Sequence, residues 1–136
     1  MQMTEIQKER LNDLIEKLEN GEYNQTKGRL RINDSYCISG VMCDLSSIGE
    51  WVEYDKNRTY RSFFYKTPNS FIHATSEPPK VSKHFGLSTS VSAILAQAND
   101  NGASFPRIAH ALRTYLEDNG ESPRWLKMLN TYYYEN

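Results

Sequence analysis

Apolar residues near the start of the chain recur at intervals typical of a helix with one apolar side. This stripe consists of Ile6, Leu11, Leu14, Ile15 and Leu18. Thr4 and Gln7 have the spacing of a capping box, and Asn20-Gly21 is a pair that ends helices. The sequence therefore predicts a helix between these two signals, with its stripe packed against another part of the protein.

The segment "SYCISGVMCDLSSIG", residues 35–49, could be a helix or a strand. An alternating strand would mix polar and apolar side chains on one face. Helical spacing instead gathers the apolar residues, which are Cys37, Ile38, Val41, Met42, Leu45 and Ile48. The pattern predicts a helix that is capped by Asp34 or Ser35 and ends at Gly49.

Cys37 and Cys43 are six positions apart, which corresponds to about 9 Å along a helix and about 20 Å along a strand. A disulfide needs Cα atoms within about 7 Å of each other, so this spacing argues against a bridge. Without a C-x-x-C pair, the two thiols also fall short of a zinc site. We expect both cysteines to be reduced and to serve packing, and only one to lie deep, because they point to different sides of the predicted helix.

A different pattern begins in the segment "EWVEYDKNRTYRSFFY", residues 50–65, which is rich in aromatic and β-branched residues. The polar stretch "DKN" separates two extended runs, which predicts a β-hairpin. After a turn at residues 68–70, "FIHAT" predicts a third short strand, and the following pair of prolines would end it.

The remaining chain has helical patterns with capping and stop residues. The segments are "PPKVSKHFGL", "STSVSAILAQANDNG", "SFPRIAHALRTYLEDNG" and "SPRWLKMLNTYYY". Several helices packed on a small antiparallel sheet give the predicted fold class, α+β. A chain of this length supports one core, so we expect a single domain over residues 1–136, with residues 122–136 as an added C-terminal helix.

Composition narrows the class of protein only slightly. The hydrophobic fraction is 38%, aromatic residues make up 12%, and the formal net charge is -1. The near-neutral charge gives no global sign of nucleic-acid binding. The sequence contains neither an apolar signal segment nor a run of about 18 apolar residues that could span a bilayer. A cytoplasmic protein without membrane contact is therefore expected.

Three segments carry a resemblance to a known family: "KGRLRINDSYCISGVMCDL", "PPKVSKHFGL" and "ILAQANDNGASFPRIAHAL". They are similar to small proteins of bacteriophages and mobile elements that are marked by G-R-L-R before Y-C-C-L-G-V-L-C-D-L, and later by L-N-D-x-G-x-S-F-x-x-I-A. Ile38 stands where that family has a second cysteine, and Pro106 and Arg107 interrupt its usual S-F-A-E-I-A. The resemblance implies a phage-type protein acting in the host cytoplasm, and it supplies no catalytic residues.

Two basic clusters are candidates for a binding site. In the first, Lys27, Arg29 and Arg31 place three positive charges within five positions, with no acid among them. Arginine pairs bidentately with phosphate or carboxylate groups. Arg29 and Arg31 alternate around Leu30, so they can share a face in an extended segment. The alternative is a solvated basic loop ahead of the helix.

The second cluster, "KNRTYRSFFYK", interleaves basic and aromatic residues, and we take Arg58, Tyr60 and Arg61 as its binding residues. Aromatic faces stack on bases while cations meet phosphates, so this mixture is typical of a site for a nucleotide or a short single strand. The alternative is a hairpin with one buried and one solvated face. If the two clusters converge in the fold, a nucleotide-sized anionic ligand becomes the better interpretation.

Catalytic and metal-binding patterns have less support. His73, His84 and His110 are isolated and lack metal-ligand spacing, and there is no glycine-rich phosphate loop. A cysteine–histidine pair, such as Cys43 with His84 or His110, could form only through the fold. Asp44 is interpreted as a hydrogen-bonding or capping group. The sequence predicts no metal and no cofactor, and it favours a protein that is not an enzyme.

Three functions from different classes remain open. The favoured one is a counter-defence accessory protein that binds a phosphorylated small molecule, such as a signalling nucleotide. The second is a protein-binding inhibitor of a host factor that uses exposed Tyr132, Tyr133 and Tyr134. The third is a helix-turn-helix-like module, because "NDNGASFPRIAHAL" is similar to a segment of many DNA-binding domains, although the net charge argues against duplex DNA. Whether the chain forms a homo-oligomer is also open.

Overall fold

The structure, a computed structural model, describes residues 3–53, 59–68 and 72–134, with side chains as far as Leu129. The helices are α1 (Glu5–Glu19), α2 (Ile38–Ser46), α3 (Pro79–His84), α4 (Thr89–Asp100), α5 (Phe105–Glu117) and α6 (Arg124–Tyr134). The strands are β1 (Asn24–Gln25), β2 (Arg31–Ile32), β3 (Ser35–Tyr36), β4 (Glu50–Glu53), β5 (Ser62–Lys66) and β6 (Ile72–His73). The α+β class predicted from the sequence is confirmed.

The strands form one mixed sheet in the order β1-β3-β2-β5-β4, and β6 also pairs with β5. β1 runs parallel to β3, and the other pairs are antiparallel. β4 and β5 confirm the predicted hairpin, and β6 confirms the third strand. The sheet is larger than expected, because three two-residue strands between α1 and α2 join it. The predicted "DKN" turn and the central residues of the turn at 68–70 lie outside the described residues.

α1 confirms the capping box and corrects one member of the stripe. The Thr4 hydroxyl accepts a hydrogen bond from the Gln7 N–H (3.1 Å), and the Gln7 side chain accepts one from the Thr4 N–H (2.9 Å). The buried members of the stripe are Leu11, Leu14, Ile15 and Leu18. Ile6 is 58% exposed. At about 100° per residue, Ile6 lies about 140° around the helix from Leu11, which places it off the stripe.

α2 is shorter than the sequence predicts. Its N-cap is Cys37, so neither Asp34 nor Ser35 caps it, because residues 35 and 36 already belong to β3. The helix ends at Ser46 instead of Gly49, and the next residue adopts a left-handed conformation with φ 55°. Residues 35 and 36, where the helix was expected to start, are therefore paired in the sheet, and the left-handed residue after Ser46 ends the helix early.

Both cysteines are buried, and the prediction of only one deep thiol is wrong. Cys37 is 5% exposed and Cys43 is 0% exposed, and both are free thiols. α2 contacts α1, α3 and α4 as well as β3. Because neighbouring elements surround this helix, thiols that point to different sides are both covered. The expectation that both cysteines are reduced and packed holds.

The C-terminal helices complete the core. Ser88 and Ser104 cap α4 and α5, and each hydroxyl accepts a hydrogen bond from the backbone N–H three residues later (3.1 and 3.3 Å). α5 packs between α1 and α6. Trp125 of α6 lies edge-to-face against Tyr115 of α5, with ring centroids 5.5 Å apart. One apolar core therefore extends from α1 to α6, and the predicted C-terminal helix is part of it.

Candidate functional site

Strand pairing places charged and aromatic residues in one row across the sheet. Tyr36 of β3 lies opposite Arg31 of β2, and Arg31 lies opposite Phe63 of β5. Phe63 in turn lies opposite Glu53 of β4. Side chains directly opposite one another on paired strands are neighbours on one face of the sheet. The set termed the arginine-aromatic cluster below consists of Arg31, Tyr36, Trp51, Arg61 and Phe63.

Arg31 lies at the centre of this cluster. Its guanidinium carbon is 3.9, 5.2 and 5.6 Å from the ring centroids of Phe63, Tyr36 and Trp51, respectively. Its Nε donates a hydrogen bond to the Asn33 carbonyl (2.9 Å), and Nη2 lies 3.6 Å from the carboxylate of Asp34, whose side chain is 90% exposed. The positive charge of Arg31 is therefore surrounded by three rings. Its acidic neighbour, Asp34, lies mostly in solvent and screens this charge weakly.

Arg61 approaches the same ring from the start of β5. Its guanidinium carbon is 5.1 Å from the Phe63 centroid, and its side chain is 60% exposed. Nε and Nη2 donate hydrogen bonds to one carboxylate oxygen of Glu53 at 3.2 and 2.9 Å, which raises the pKa of Arg61. Asn33 fixes the backbone, because its Oδ1 accepts from the Arg61 N–H (2.7 Å) and its N–H donates to the Arg61 carbonyl (2.6 Å).

The two basic clusters of the sequence therefore meet at one phenylalanine. Arg31 and Arg61 lie 3.9 Å and 5.1 Å from the centroid of Phe63, so their guanidinium carbons are at most about 9 Å apart. Arginine binds phosphate oxygens through paired N–H groups, and a diphosphate group is long enough to reach two guanidinium groups within this limit. The pair is therefore the candidate anion site of the protein.

The other predicted binding residues are less closely associated with this cluster. Lys27 is exposed and Arg29 is half-buried in the segment ahead of β2. Tyr60 is 37% exposed and directly precedes Arg61. Arg58 lies outside the described residues, as do the side chains of the three consecutive tyrosines of α6. Of the six predicted residues, Arg31 and Arg61 are the two that the structure brings together over one ring.

The two arginines differ in exposure, and the described cavities lie elsewhere. The Arg61 side chain is 60% exposed, whereas that of Arg31 is 17% exposed. A cavity of about 480 Å³ at the other end of the hairpin is lined by residues that include Glu50 and Lys66. A more apolar cavity of about 250 Å³, between α1 and the start of α4, is lined by residues that include Met3. A ligand at the cluster would therefore contact Arg61 from solvent and Arg31 through the small exposed part of its side chain.

An arc of aromatic rings supports Arg31 from the side of α2. Tyr23 contacts Tyr36 edge-to-face at 5.1 Å between centroids, and Tyr36 contacts Trp51 at 5.9 Å. The Asp44 carboxylate accepts hydrogen bonds from the Tyr23 hydroxyl (2.7 Å) and from Trp51 Nε1 (3.1 Å). Burial and the bond to Asp44 raise the pKa of Tyr23, so its hydroxyl remains a donor. Asp44 is thus a hydrogen-bonding group, as the sequence predicts.

The aromatic residues of "RSFFY" serve mainly the sheet. Phe63 is 6% exposed and Tyr65 is 1% exposed, so neither ring offers a free face to a nucleobase. For these rings, the hairpin with one buried face is the correct interpretation. Sequence reasoning missed the residues that complete the site, Tyr23, Asn33, Tyr36, Trp51 and Glu53. They lie in or beside strands of two to four residues, which are too short to show an alternating pattern.

The thiols and histidines form no catalytic pair that the geometry supports. Burial raises the pKa of Cys37 to about 11 and also raises that of Cys43. A protonated thiol that is shielded from solvent is a poor nucleophile, so a reactive Cys43 paired with His84 or His110 is not supported. Within the described ranges, no group of three or more His, Cys, Asp or Glu side chains could hold a metal ion.

A second polar centre, termed the buried amide network, consists of the side chains of Gln25 and Asn99. Asn99 is 0% exposed. Its Oδ1 accepts hydrogen bonds from the Ile38 N–H and from Gln25 Nε2, both at 3.0 Å, and its Nδ2 donates to the Thr26 carbonyl at 2.9 Å. Gln25 also bonds to two backbone groups at the start of α5, at 2.8 and 3.0 Å. The network joins β1, α2, α4 and α5.

The segment "KGRLRINDSYCISGVMCDL" is packed closely against this network. The Gly28 N–H donates to Asp100 at the end of α4 (2.9 Å). The Leu30 carbonyl accepts from the Cys37 N–H (3.2 Å), and a Cβ added at Gly40 would overlap that carbonyl. Most of the segment therefore holds the fold together, while Arg31 extends from it into the arginine-aromatic cluster.

The geometry gives no support to the DNA-binding interpretation. α5 is covered by α1 and α6, and its two arginines bond within the protein, Arg107 to the Met128 carbonyl and Arg113 to Glu19, so they do not form the free basic face that a recognition helix needs. A separate question is membrane insertion. None of the helices in the described part of the chain combines the length and the apolar character needed to cross a bilayer.

The fold and the cluster together define a small α+β protein in which two arginines converge on one phenylalanine ring. Residues 5–116 match the family model of a domain of unknown function (DUF8296), and the chain belongs to this family. The match ends within α5, so α6 lies beyond the family domain. No curated protein and no solved structure matches the chain.

Proposed function

We propose that the protein binds a phosphorylated small molecule through Arg31 and Arg61. The observation that carries this proposal is the convergence of the two guanidinium groups on Phe63, at 3.9 and 5.1 Å from its centroid. The two arginines come from separate basic clusters of the sequence, and Asn33 bonds to both, because its carbonyl accepts from Arg31 Nε and its Oδ1 accepts from the Arg61 N–H. Guanidinium pairs at this separation recognise phosphate oxygens by charge and by directed hydrogen bonds.

The organic part of the ligand would contact the aromatic arc next to Arg31. Tyr23, Tyr36 and Trp51 are half-buried, and the centroids of the last two lie 5.2 and 5.6 Å from the Arg31 guanidinium carbon. Aromatic and apolar surface beside a cation suits a nucleotide better than a free inorganic ion. Phe63 is covered by Arg31 and would act as a support for the arginines.

Binding without chemical conversion is the activity that these side chains favour. Asp44 is already bonded to two aromatic side chains, and the thiols are buried. The resemblance to bacteriophage proteins supports a role inside an infected host cell. The protein would sequester a phosphorylated signal in the host cytoplasm and so weaken a defence response.

The Trp51 indole N–H is a built-in probe for a direct test. A Trp125→Phe background leaves Trp51 as the single tryptophan, and its Nε1–H resonance can be followed by NMR during titration with adenosine diphosphate or inorganic pyrophosphate. We expect a saturable shift, and we expect Arg31→Met or Arg61→Gln to weaken binding about tenfold, because each removes charged hydrogen bonds.

A matched control is the Arg113–Glu19 ion pair, which is also surface-exposed and joins α5 to α1. Arg113→Gln removes one positive charge and one ion pair, as Arg61→Gln does, and should leave the titration unchanged. Circular dichroism would establish that all variants are folded. Equal binding by wild type, Arg31→Met and Arg61→Gln would refute the proposed site.

A further inference from the structure

The free site already contains an anion of its own. Glu53 Oε1 accepts hydrogen bonds from Nε (3.2 Å) and Nη2 (2.9 Å) of Arg61, and these are the donors that a phosphate would use. The Glu53 side chain is 20% exposed, whereas that of Arg61 is 60% exposed. We infer that Glu53 is a built-in competitor for the ligand, so that the site selects groups with more charge than one carboxylate; this inference rests on the proposed function.

Strand pairing keeps Glu53 in place as a competitor. Glu53 lies opposite Phe63 in the β4–β5 register, and Arg61 stacks on the same ring. Its carboxylate therefore has a high local concentration at Arg61, in contrast to an anion from solution. A ligand must either displace Glu53 from Arg61 or bind beside it against like-charge repulsion, and both lower its affinity.

The presence of Glu53 also restricts which anions can bind at Arg61. A carboxylate or a phosphodiester carries one negative charge, as Glu53 does, so exchanging it for Glu53 at Arg61 gains little. A diphosphate or a terminal phosphate carries more charge, and it can contact Arg31 as well as Arg61. The site is therefore suited to a nucleoside diphosphate or a similar terminally phosphorylated molecule, and it is poorly suited to the internal phosphates of a nucleic acid.

The test compares Glu53→Gln with Glu19→Gln, which frees Arg113 in the matched ion pair. Pyrophosphate is titrated into each variant and followed by the Trp51 indole resonance in the Trp125→Phe background. We expect Glu53→Gln to tighten pyrophosphate binding about three- to fivefold, the range set by one exposed ion pair. Glu19→Gln should leave it unchanged. The gain should vanish in a Glu53→Gln/Arg61→Gln double variant, because the competition acts through Arg61.

Three further outcomes are decisive. Unchanged or weaker binding by Glu53→Gln, while Arg61→Gln still loses affinity, would overturn the competitor role and leave the proposed function intact. Dimethyl phosphate, a phosphodiester with one charge, should bind wild type at least about tenfold more weakly than pyrophosphate. Comparable affinities would overturn the assigned ligand class. Pyrophosphate binding that is insensitive to both Arg31→Met and Arg61→Gln would instead remove the proposed function itself.

Discussion

The buried amide network lies beside β1 and the arginine-aromatic cluster lies in and beside β2 to β5 of the same sheet, but their polar groups are satisfied in opposite ways. Asn99 is 0% exposed, and its amide bonds to Ile38, Gln25 and Thr26. Arg61 is 60% exposed and bonds to Glu53 on the surface. In the first region every interaction is internal to the fold. In the second, the partner of Arg61 lies at the surface, and the proposed function requires a ligand to replace it or to bind beside it.

This difference distinguishes residues that hold the fold together from residues that are proposed to bind a ligand. A buried amide must find all its partners within the protein, because an unpaired polar group in the interior costs about 1 to 3 kcal/mol. A surface guanidinium can exchange one partner for another at little cost. The matched family domain, residues 5–116, contributes to both regions, through Asn99 to the first and through Arg31 to the second. Resemblance in sequence therefore does not by itself mark a ligand site.

The largest effect is expected at Gly40, where α2 meets the Leu30 carbonyl. Gly40→Ala should lower the free energy of unfolding by about 4 kcal/mol or more, because the added Cβ overlaps backbone and not a movable side chain. Gly28→Ala is the comparison, since Gly28 has φ 79° but open space around it, and should lose about 1 kcal/mol. Urea unfolding measures both. Similar losses in the two variants would show that close packing at Gly40 is unimportant.

Removal of the amide at the centre of the network should have the next largest effect. Asn99→Ala leaves the Ile38 N–H and the Thr26 carbonyl without their partner, and we expect a loss of about 3 kcal/mol. Asn101→Ala, at an exposed position just after α4, should change stability by less than about 0.5 kcal/mol. If the two variants unfold at the same urea concentration, the network does not stabilise the fold as described.

Helix boundaries set by local chemistry could be predicted from the sequence. The caps at Thr4, Ser88 and Ser104 were predictable because a hydroxyl reaches a backbone N–H only three residues away. The Cys37 cap was not, because a thiol is not among the usual capping groups and β3 occupies the expected start of α2. Ile6 was wrongly included in the apolar stripe of α1 because its angular position around the helix was not considered.

Much less of the candidate site could be predicted. Arg31 and Arg61 were selected by residue type and charge, but their convergence depends on the register that sets Arg31 opposite Phe63 and Glu53 opposite the same residue. Strands of two residues carry no periodicity from which pairing can be deduced. The role of Glu53 follows from that register, and nothing in "EWVEY" identifies which arginine it meets.

Tyr23 links the cluster to the interior, and its substitution should have a moderate effect that depends on pH. Tyr23→Phe removes the hydrogen bond to Asp44, and we expect a loss of about 1 kcal/mol at pH 7. The pKa of Tyr23 is raised in the folded state, so its contribution is complete below pH about 10 and is lost as pH rises further. The pKa values of Tyr36 and Tyr115 are also raised.

Urea unfolding between pH 7 and pH 11 would measure this dependence. Wild-type stability should fall as the pH rises above about 9, where thiols begin to ionise in the unfolded chain, and the fall should be shallower in Tyr23→Phe, with the remaining slope due to the two buried cysteines and the other two tyrosines. Identical slopes in wild type and variant would contradict a folded-state pKa for Tyr23 above its usual value.

The smallest effect on stability is expected at the residue with the largest expected effect on binding. Arg61→Gln should change the free energy of unfolding by no more than about 0.5 kcal/mol, because the Arg61 side chain is 60% exposed and solvent screens its ion pair with Glu53. Arg113→Gln, which breaks the exposed pair with Glu19, should give a similar value. A loss of about 2 kcal/mol or more in Arg61→Gln alone would place Arg61 with Asn99 among the residues that hold the fold together. The arginine-aromatic cluster would then stabilise the fold as the buried amide network does, and the difference between the two regions would be refuted.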